Sequence, residues 1–268
     1  MPGAILGAMP AWLAEQALAD DPVAWLARWE ADPAAWLAEW CGRTTTLPAR
    51  LLSGCQAAAQ RLATQPPWPL RVHAEKSALA ALAAALRADA EFARRPHWQD
   101  LPWETGPWTR LNEPAPERHT DAWLRLGARL AEVVRLSLPD AAGRAGALWL
   151  RHGDLSLAPG EGLAWCEMAR GLLIHRVELD TRAAGEPRIA RCDVLAPTEW
   201  NFHPTGPVAQ TLAAMPGGSD DAPARLLAAA FDPCVAIRIE PADAGDEPGR
   251  RRAAPGRRGG SARGLCAR

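Results

Sequence analysis

Apolar positions recur with a helical period through the first half of the chain. Asp21-Pro22-Val23-Ala24-Trp25-Leu26-Ala27-Arg28-Trp29 returns as Asp32-Pro33-Ala34-Ala35-Trp36-Leu37-Ala38-Glu39-Trp40. In each copy Asp suits the N-cap and Pro the first helical position, with Trp and Leu then falling on one face. Two copies predict consecutive short helices, not a solenoid. Further helices are predicted near Leu47–Ala63, Ala74–Ala93 and Asp121–Leu136, the last with apolar Trp123, Leu124, Leu126, Leu130, Val133 and Val134. Between the last two lies a loop rich in Pro and Trp, Pro96–Pro116.

The pattern changes after about Ala147. Ala147–Arg151, Gly162–Glu167, Leu172–Asp180 and Arg188–Leu195 read as strands, the last two joined across the turn-rich Thr181–Pro187 into an antiparallel hairpin. Short helices near Pro207–Ala214 and Ala222–Ala230 precede an apolar segment, Cys234–Ile239. The expected fold class is α+β: one domain over 1–248, helical over 1–146 and mixed over 147–248, with a small antiparallel sheet.

Composition narrows the function classes. The chain has 268 residues, 48% hydrophobic, with 13 Trp, 3 Phe and no Tyr, enough for a sizeable core. Lys76 is the only lysine. The formal net charge is -1, but Arg250, Arg251, Arg252, Arg257, Arg258, Arg263 and Arg268 crowd the end. Setting these seven apart from the 30 basic residues leaves 23 against 31 acidic ones, a formal -8. An acidic body with a basic tail over 249–268, expected to be disordered, does not fit a nucleic-acid-binding domain. No signal-peptide pattern or bilayer-length apolar run occurs, so a cytoplasmic setting with reduced thiols and no membrane is expected. The six cysteines, Cys41, Cys55, Cys166, Cys192, Cys234 and Cys266, form no CxxC and hence no usual zinc site.

Four stretches stand out in order: Glu104-Thr105-Gly106-Pro107-Trp108-Thr109-Arg110; Glu167-Met168-Ala169-Arg170-Gly171-Leu172-Leu173-Ile174-His175; Pro197-Thr198-Glu199-Trp200-Asn201-Phe202-His203-Pro204, continuing into Gly206-Pro207-Val208-Ala209-Gln210-Thr211-Leu212; and Phe231-Asp232-Pro233-Cys234. Together they resemble landmarks of the [NiFe] hydrogenase large subunit: E-x-G-P-x-x-R, E-x-P-R-G-x-L-x-H (Ala169 replacing the proline), P-T-x-W-N-x-x-P with G-P-I-E-x-A-L, and the opening of D-P-C-x-x-C-x-x-H. The resemblance covers about Glu104 to Glu240. Within that superfamily the chain most resembles the HupK/HoxV group of hydrogenase expression and formation proteins, which implies a reduced large-subunit-like fold.

The departures from the family pattern bear on function. The resemblance implies two C-x-x-C motifs whose four thiolates hold nickel, two of them shared with iron. Here Ile237 stands at the second cysteine position of the C-terminal motif and Glu240 at its histidine. Trp40-Cys41-Gly42-Arg43-Thr44 is similar to the N-terminal R-x-C-G-x-C, with Thr44 at the second cysteine and Glu39 at the arginine. At most two thiolates remain, too few for a soft four-thiolate nickel site. The implied role is therefore non-catalytic and without nickel: a scaffold or chaperone that carries the Fe(CN)2CO unit, or a precursor, to the apo large subunit among other maturation proteins. Cys234 and Cys41 are the candidate iron ligands, and Arg170 the candidate donor to a cyanide nitrogen. The retained cysteines match the first of each pair, whereas iron in the mature enzyme is bridged by the second. The alternative is a metal-free large-subunit mimic that binds and regulates maturation factors.

Blander readings apply elsewhere. Cys55, Cys166 and Cys192 read as small buried hydrophobes. His175 stays open between core residue and functional group. His203 reads as a turn cap, Trp200 and Asn201 as structural, and Glu104 and Arg110 as members of a buried ion pair. The Trp residues read mostly as core and interface anchors.

Overall fold

A computed structural model describes residues 8–63, 68–139, 149–180, 187–216 and 220–240. The Trp repeat forms helices α1 (Pro22–Ala31) and α2 (Pro33–Arg43). Asp21 Oδ2 accepts from Ala24 N–H at 2.8 Å and Asp32 Oδ1 from Ala35 N–H at 3.1 Å, satisfying donors that a helix start leaves open. Their apolar faces meet as an indole cluster. Trp25 stacks on Trp29 at 6.0 Å and meets Trp40 edge-on at 5.5 Å, while Trp40 Nε1–H donates to the Leu18 carbonyl at 2.8 Å. That carbonyl ends a π-helical turn, Leu13–Leu18, for which the sequence reading provides no element.

Helix α3 (Leu47–Gln60) stops short of the predicted Ala63. Its chain turns away because Leu62 O accepts from Ala122 N–H at 3.3 Å and Ala63 bridges to Asp121. Helix α4 (Lys76–Ala88) is also shorter than predicted. Val72–Ala74 forms a separate 3-10 turn, and Asp89 is extended, which lets Phe92 fold back into the core. Two-residue strands β1 (Trp68–Pro69) and β2 (Trp103–Glu104) pair in parallel, so the Pro/Trp-rich loop carries a strand. Helix α5 (Ala122–Ser137) is capped by Asp121, whose Oδ1 accepts from Leu124 N–H at 2.8 Å.

The sheet is an antiparallel meander of β3 (His152–Ala158), β4 (Glu161–Met168), β5 (Gly171–Asp180) and β6 (Arg188–Leu195), in that order. The first strand corrects the sequence reading. Residues 149–151 are not strand, and Ala147 and Leu148 lie outside the described residues. Gly153 and Asp154 are weak strand formers, so the alternation that begins at His152 is masked. Gly153 is needed there: a Cβ would sit 2.8 Å from the Trp165 ring. The 181–186 part of the predicted turn also lies outside the described residues.

Helices α6 (Pro197–Asn201), α7 (Pro207–Ala214) and α8 (Ala222–Phe231) complete an α+β fold, after which Cys234–Ile239 forms no regular element. Apolar side chains divide into two clusters. One joins α1, α2, α3, α5 and α8 around Trp25, Trp123 and Phe231; the other packs Leu79, Leu82 and Leu86 of α4 on Leu163, Leu172, Ile174 and Leu195 of the sheet. Each such fully buried side chain contributes about 1.5–3 kcal/mol. No helix among the described residues is long and apolar enough to cross a membrane.

Candidate functional site

The four motif stretches come together along the boundary between these two clusters, and α5 organises them. Arg125, Arg129, Glu132 and Arg135 follow one another at helical spacing on one side of α5. Arg125 makes a bidentate pair with Glu104, 2.7 Å from Nε to Oε1 and 2.9 Å from Nη2 to Oε2, with both side chains buried. Trp108 Nε1–H donates to the same carboxylate. Arg110 Nε–H donates to Glu132 at 2.8 Å, and its Nη2–H donates to the Met168 carbonyl. Glu104 and Arg110 are thus both in buried ion pairs, each with α5 and not with each other.

Thr105 is the second joint. Its N–H donates to Asn201 Oδ1 at 2.9 Å, and Asn201 Nδ2–H donates to its carbonyl at 2.8 Å, as a paired strand would. Its Oγ1 accepts from Leu172 N–H at 2.7 Å. Gly171 makes this approach possible: its φ is +131°, and a Cβ would lie 2.6 Å from Thr105 Oγ1. Glu167 closes the same loop, accepting from Leu111 N–H at 3.0 Å and Arg151 N–H at 2.9 Å, and lying 3.0 Å from His73 Nε2. Burial pushes its carboxyl up, but the hydrogen bonds from His73 and the two backbone N–H groups, with the charge of Arg110, outweigh that and hold it below the usual carboxylate range.

The fourth stretch is anchored by Phe231, which packs edge-on against Trp108 at 5.7 Å and Phe202 at 6.4 Å. The chain then turns through Asp232 in the left-handed region, φ +47°, and exposes Cys234. Arg170, in the turn between β4 and β5, reaches this point. Its Nε–H donates to the Asp232 carbonyl at 2.9 Å and lies 3.2 Å from Asp232 Oδ2. Cys234 Sγ is 3.4 Å from Thr198 Oγ1 on α6. A cavity of about 230 Å3, lined by Arg225, Ala228, Asp232, Pro233, Ile237 and Ile239 among others, adjoins it. Ile237 and Glu240, at the positions of the absent cysteine and histidine, are exposed.

Cys41 lies elsewhere. It is 7% exposed within the helical core, and its thiol is pushed up to about 11 by burial and then by neighbouring Cys55. The structure therefore holds Arg170 on Asp232, two residues before the exposed Cys234, and sets Cys41 beside Cys55 as a protonated thiol. Cys55 is half-buried, as is Cys166, whereas Cys192 is exposed, contrary to its reading as a buried hydrophobe. His175 is exposed on β5, which removes the core alternative. His203 Nδ1 accepts from Thr205 N–H at 3.2 Å and is 2.9 Å from Thr205 Oγ1, as a turn cap. Seven Trp (25, 29, 36, 40, 108, 123 and 200) are buried, while Trp12 and Trp68 are exposed. Cys266 and the 249–268 tail lie outside the described residues. Among the described residues, no group of three or more His, Cys, Asp or Glu could hold a metal ion.

Arg129 and Asp232 escaped the sequence reading. Arg129 Nε–H donates to the Ala230 carbonyl at 3.1 Å and Nη1–H to the Ala169 carbonyl at 3.2 Å, bracketing the Arg170 and Cys234 loops. The available signal was the run of charges on one face of an otherwise apolar helix.

Comparison with known proteins places the chain among relatives. It is 45% identical over 241 residues to a Hydrogenase expression/formation protein HoxV from Cupriavidus necator, covering 87% of this chain and 62% of that protein. It is 38% identical over 179 residues to a Hydrogenase expression/formation protein HupK from Rhizobium leguminosarum bv. viciae, covering 62% and 46% respectively. A HupK from Bradyrhizobium diazoefficiens is 40% identical over 159 residues, 53% of this chain and 40% of that protein. The chain thus spans less than two thirds of the length of each of these relatives. No protein-family model and no solved structure matches it.

Proposed function

We propose that this chain, a homologue of the HoxV and HupK hydrogenase expression/formation proteins, acts in [NiFe] hydrogenase maturation as a non-catalytic scaffold that carries an Fe(CN)2CO unit to the apo large subunit. The observation that supports this reading is that Arg170 bonds Asp232, two residues before the exposed Cys234. A thiolate suits a soft, low-spin iron carrying diatomic ligands, and a guanidinium offers directed donors to a cyanide nitrogen. Exposure suits a cargo that must be handed on. The two cysteine positions that would complete a four-thiolate nickel site hold Ile237 and Thr44, neither of which supplies a thiolate.

Cys234 is the better-placed ligand in this reading. Cys41 would have to lose a proton from a thiol raised to about 11 inside the apolar core. Other maturation proteins and the apo large subunit are the proposed partners, in the cytoplasm. The test is elemental analysis of protein purified from a hydrogenase-expressing host. Iron near one atom per chain without nickel, reduced at least tenfold in Cys234→Ala, is the expected result. Iron content unchanged in Cys234→Ala would contradict it.

The burial of Cys41 also favours a second reading, a metal-free large-subunit mimic that binds and regulates the maturation factors. Under that reading Cys41→Ala and Cys234→Ala both support hydrogenase maturation in full, whereas the scaffold reading requires Cys234.

A further inference from the structure

Strand β6 is last in the sheet order, and among the described residues no strand pairs with its outer side. Sheet edges are usually blunted by proline, by charges on the open side or by a covering element. The stretch Ile189–Leu195 has no proline. Its two charges turn to the face that α4 covers. Asp193 stands opposite the buried Arg176 and accepts from its Nη1–H at 2.8 Å, while Arg191 Nη2–H donates to the Leu86 carbonyl at 2.7 Å. Cys192 and Val194 lie on the other face and are exposed, as is Ile189 at 65%. A bulge skips Ala190, where the pairing with β5 steps from Glu178–Arg191 to Leu179–Ile189, but Arg191–Leu195 pair without a break.

The charges of this edge select a way for it to pair with itself. A two-fold axis normal to an antiparallel pair of identical strands passes through one residue, which then faces its own copy. Centred on Arg191, the axis opposes two guanidiniums; centred on Asp193, it opposes two carboxylates, and like charges directly opposite are unfavourable. Centred on Val194, it pairs only Asp193–Leu195 before the strand ends, and Ala190 is the bulge. Centred on Cys192, it sets Arg191 opposite Asp193 of the second copy, twice by symmetry, and Ala190 opposite Val194. Arg191 and Asp193 already form an ion pair at 2.9 Å within one chain, so the second copy extends it into four charges of alternating sign.

We propose that two copies of this chain associate by antiparallel pairing of their β6 edges about Cys192, making one continuous sheet across both. Each copy uses the same edge, so the assembly closes at two. A single strand edge is a small interface, which places the dimer in the weak, reversible class.

Sedimentation equilibrium of the full, reduced chain from about 1 to about 200 µM, the range where micromolar association is read, is expected to show a monomer–dimer equilibrium. Arg191→Glu, which sets acid against Asp193, and Cys192→Lys, which sets two ammonium groups together at a position exposed in the monomer, are each expected to weaken the dimer at least tenfold. Cys192→Ser is expected to leave it unchanged. The register is read by crosslinking. Directly opposite residues of an antiparallel pair lie about 4.5–5.5 Å apart at Cα, within disulfide reach. Diamide, taking up the two thiol hydrogens to become the hydrazine, is expected to join two copies of Cys234→Ala through Cys192, identified by peptide mass spectrometry. A monomer at every concentration, a dimer as tight in Cys192→Lys as in the parent, or a dimer that diamide does not join at Cys192 would overturn the proposal.

Discussion

Thr105 Oγ1 accepts the backbone N–H of Leu172 at 2.7 Å, across 67 residues of sequence, and this contact exists only because residue 171 has no side chain. It ties the stretch containing Glu104 to the one containing Arg170. Gly171→Ala meets both a Cβ contact of 2.6 Å and a φ of +131°. The expected loss is about 2–4 kcal/mol from strain and the displaced hydrogen bond, read as a lower urea midpoint. A change below about 0.5 kcal/mol, the size typical of surface substitutions, would contradict this role.

The Glu104–Arg125 pair is fully buried, so removing one partner strands the other charge. Glu104→Gln is expected to cost about 3–5 kcal/mol, measured by chemical denaturation. The double variant Glu104→Gln with Arg125→Met should recover part of that loss, because the stranded guanidinium is gone.

Glu167 supplies a pH dependence with a definite sign. Its folded pKa lies below the ordinary carboxylate value of 4.5, so its contribution to stability is complete above about that pH and disappears as pH falls through the lower folded value. Stability measured from pH 6 to pH 3 should fall less steeply in Glu167→Gln than in the parent, from a lower starting point. Parallel curves would remove Glu167 from the acid response.

Thiol chemistry should separate the two candidate cysteines. Cys234 is exposed, whereas Cys41 is buried and pushed up to about 11. Iodoacetamide at pH 8 is expected to label Cys234 at least a hundredfold faster than Cys41, resolved by peptide mass spectrometry. Equal rates would mean that the core around Cys41 opens readily.

Much of this architecture was legible in the sequence where a local rule decides it. The two Asp-Pro-Trp helices follow from capping and periodicity, and β4, β5 and β6 from apolar alternation. The misses share a tertiary cause. Strand β3 is masked by Gly153 and Asp154, whose places are set by Trp165 and by pairing with β4. Helix α3 ends early because Leu62 bonds to the start of α5. At the site, the motifs singled out Arg170 and Cys234 but not that Arg170 bonds Asp232, where Arg129 also reaches from α5. Cys41 illustrates the converse: its motif is local, while its burial beside Cys55 is a property of the packed helices.

The most direct measurement is infrared spectroscopy of the chain purified from a host expressing the hydrogenase and its assembly proteins. Two cyanide bands and one carbon monoxide band are expected, abolished in Cys234→Ala and shifted in the cyanide region in Arg170→Gln. Protein that shows no such bands with the assembly proteins present, or bands that persist unchanged in Cys234→Ala, would contradict it.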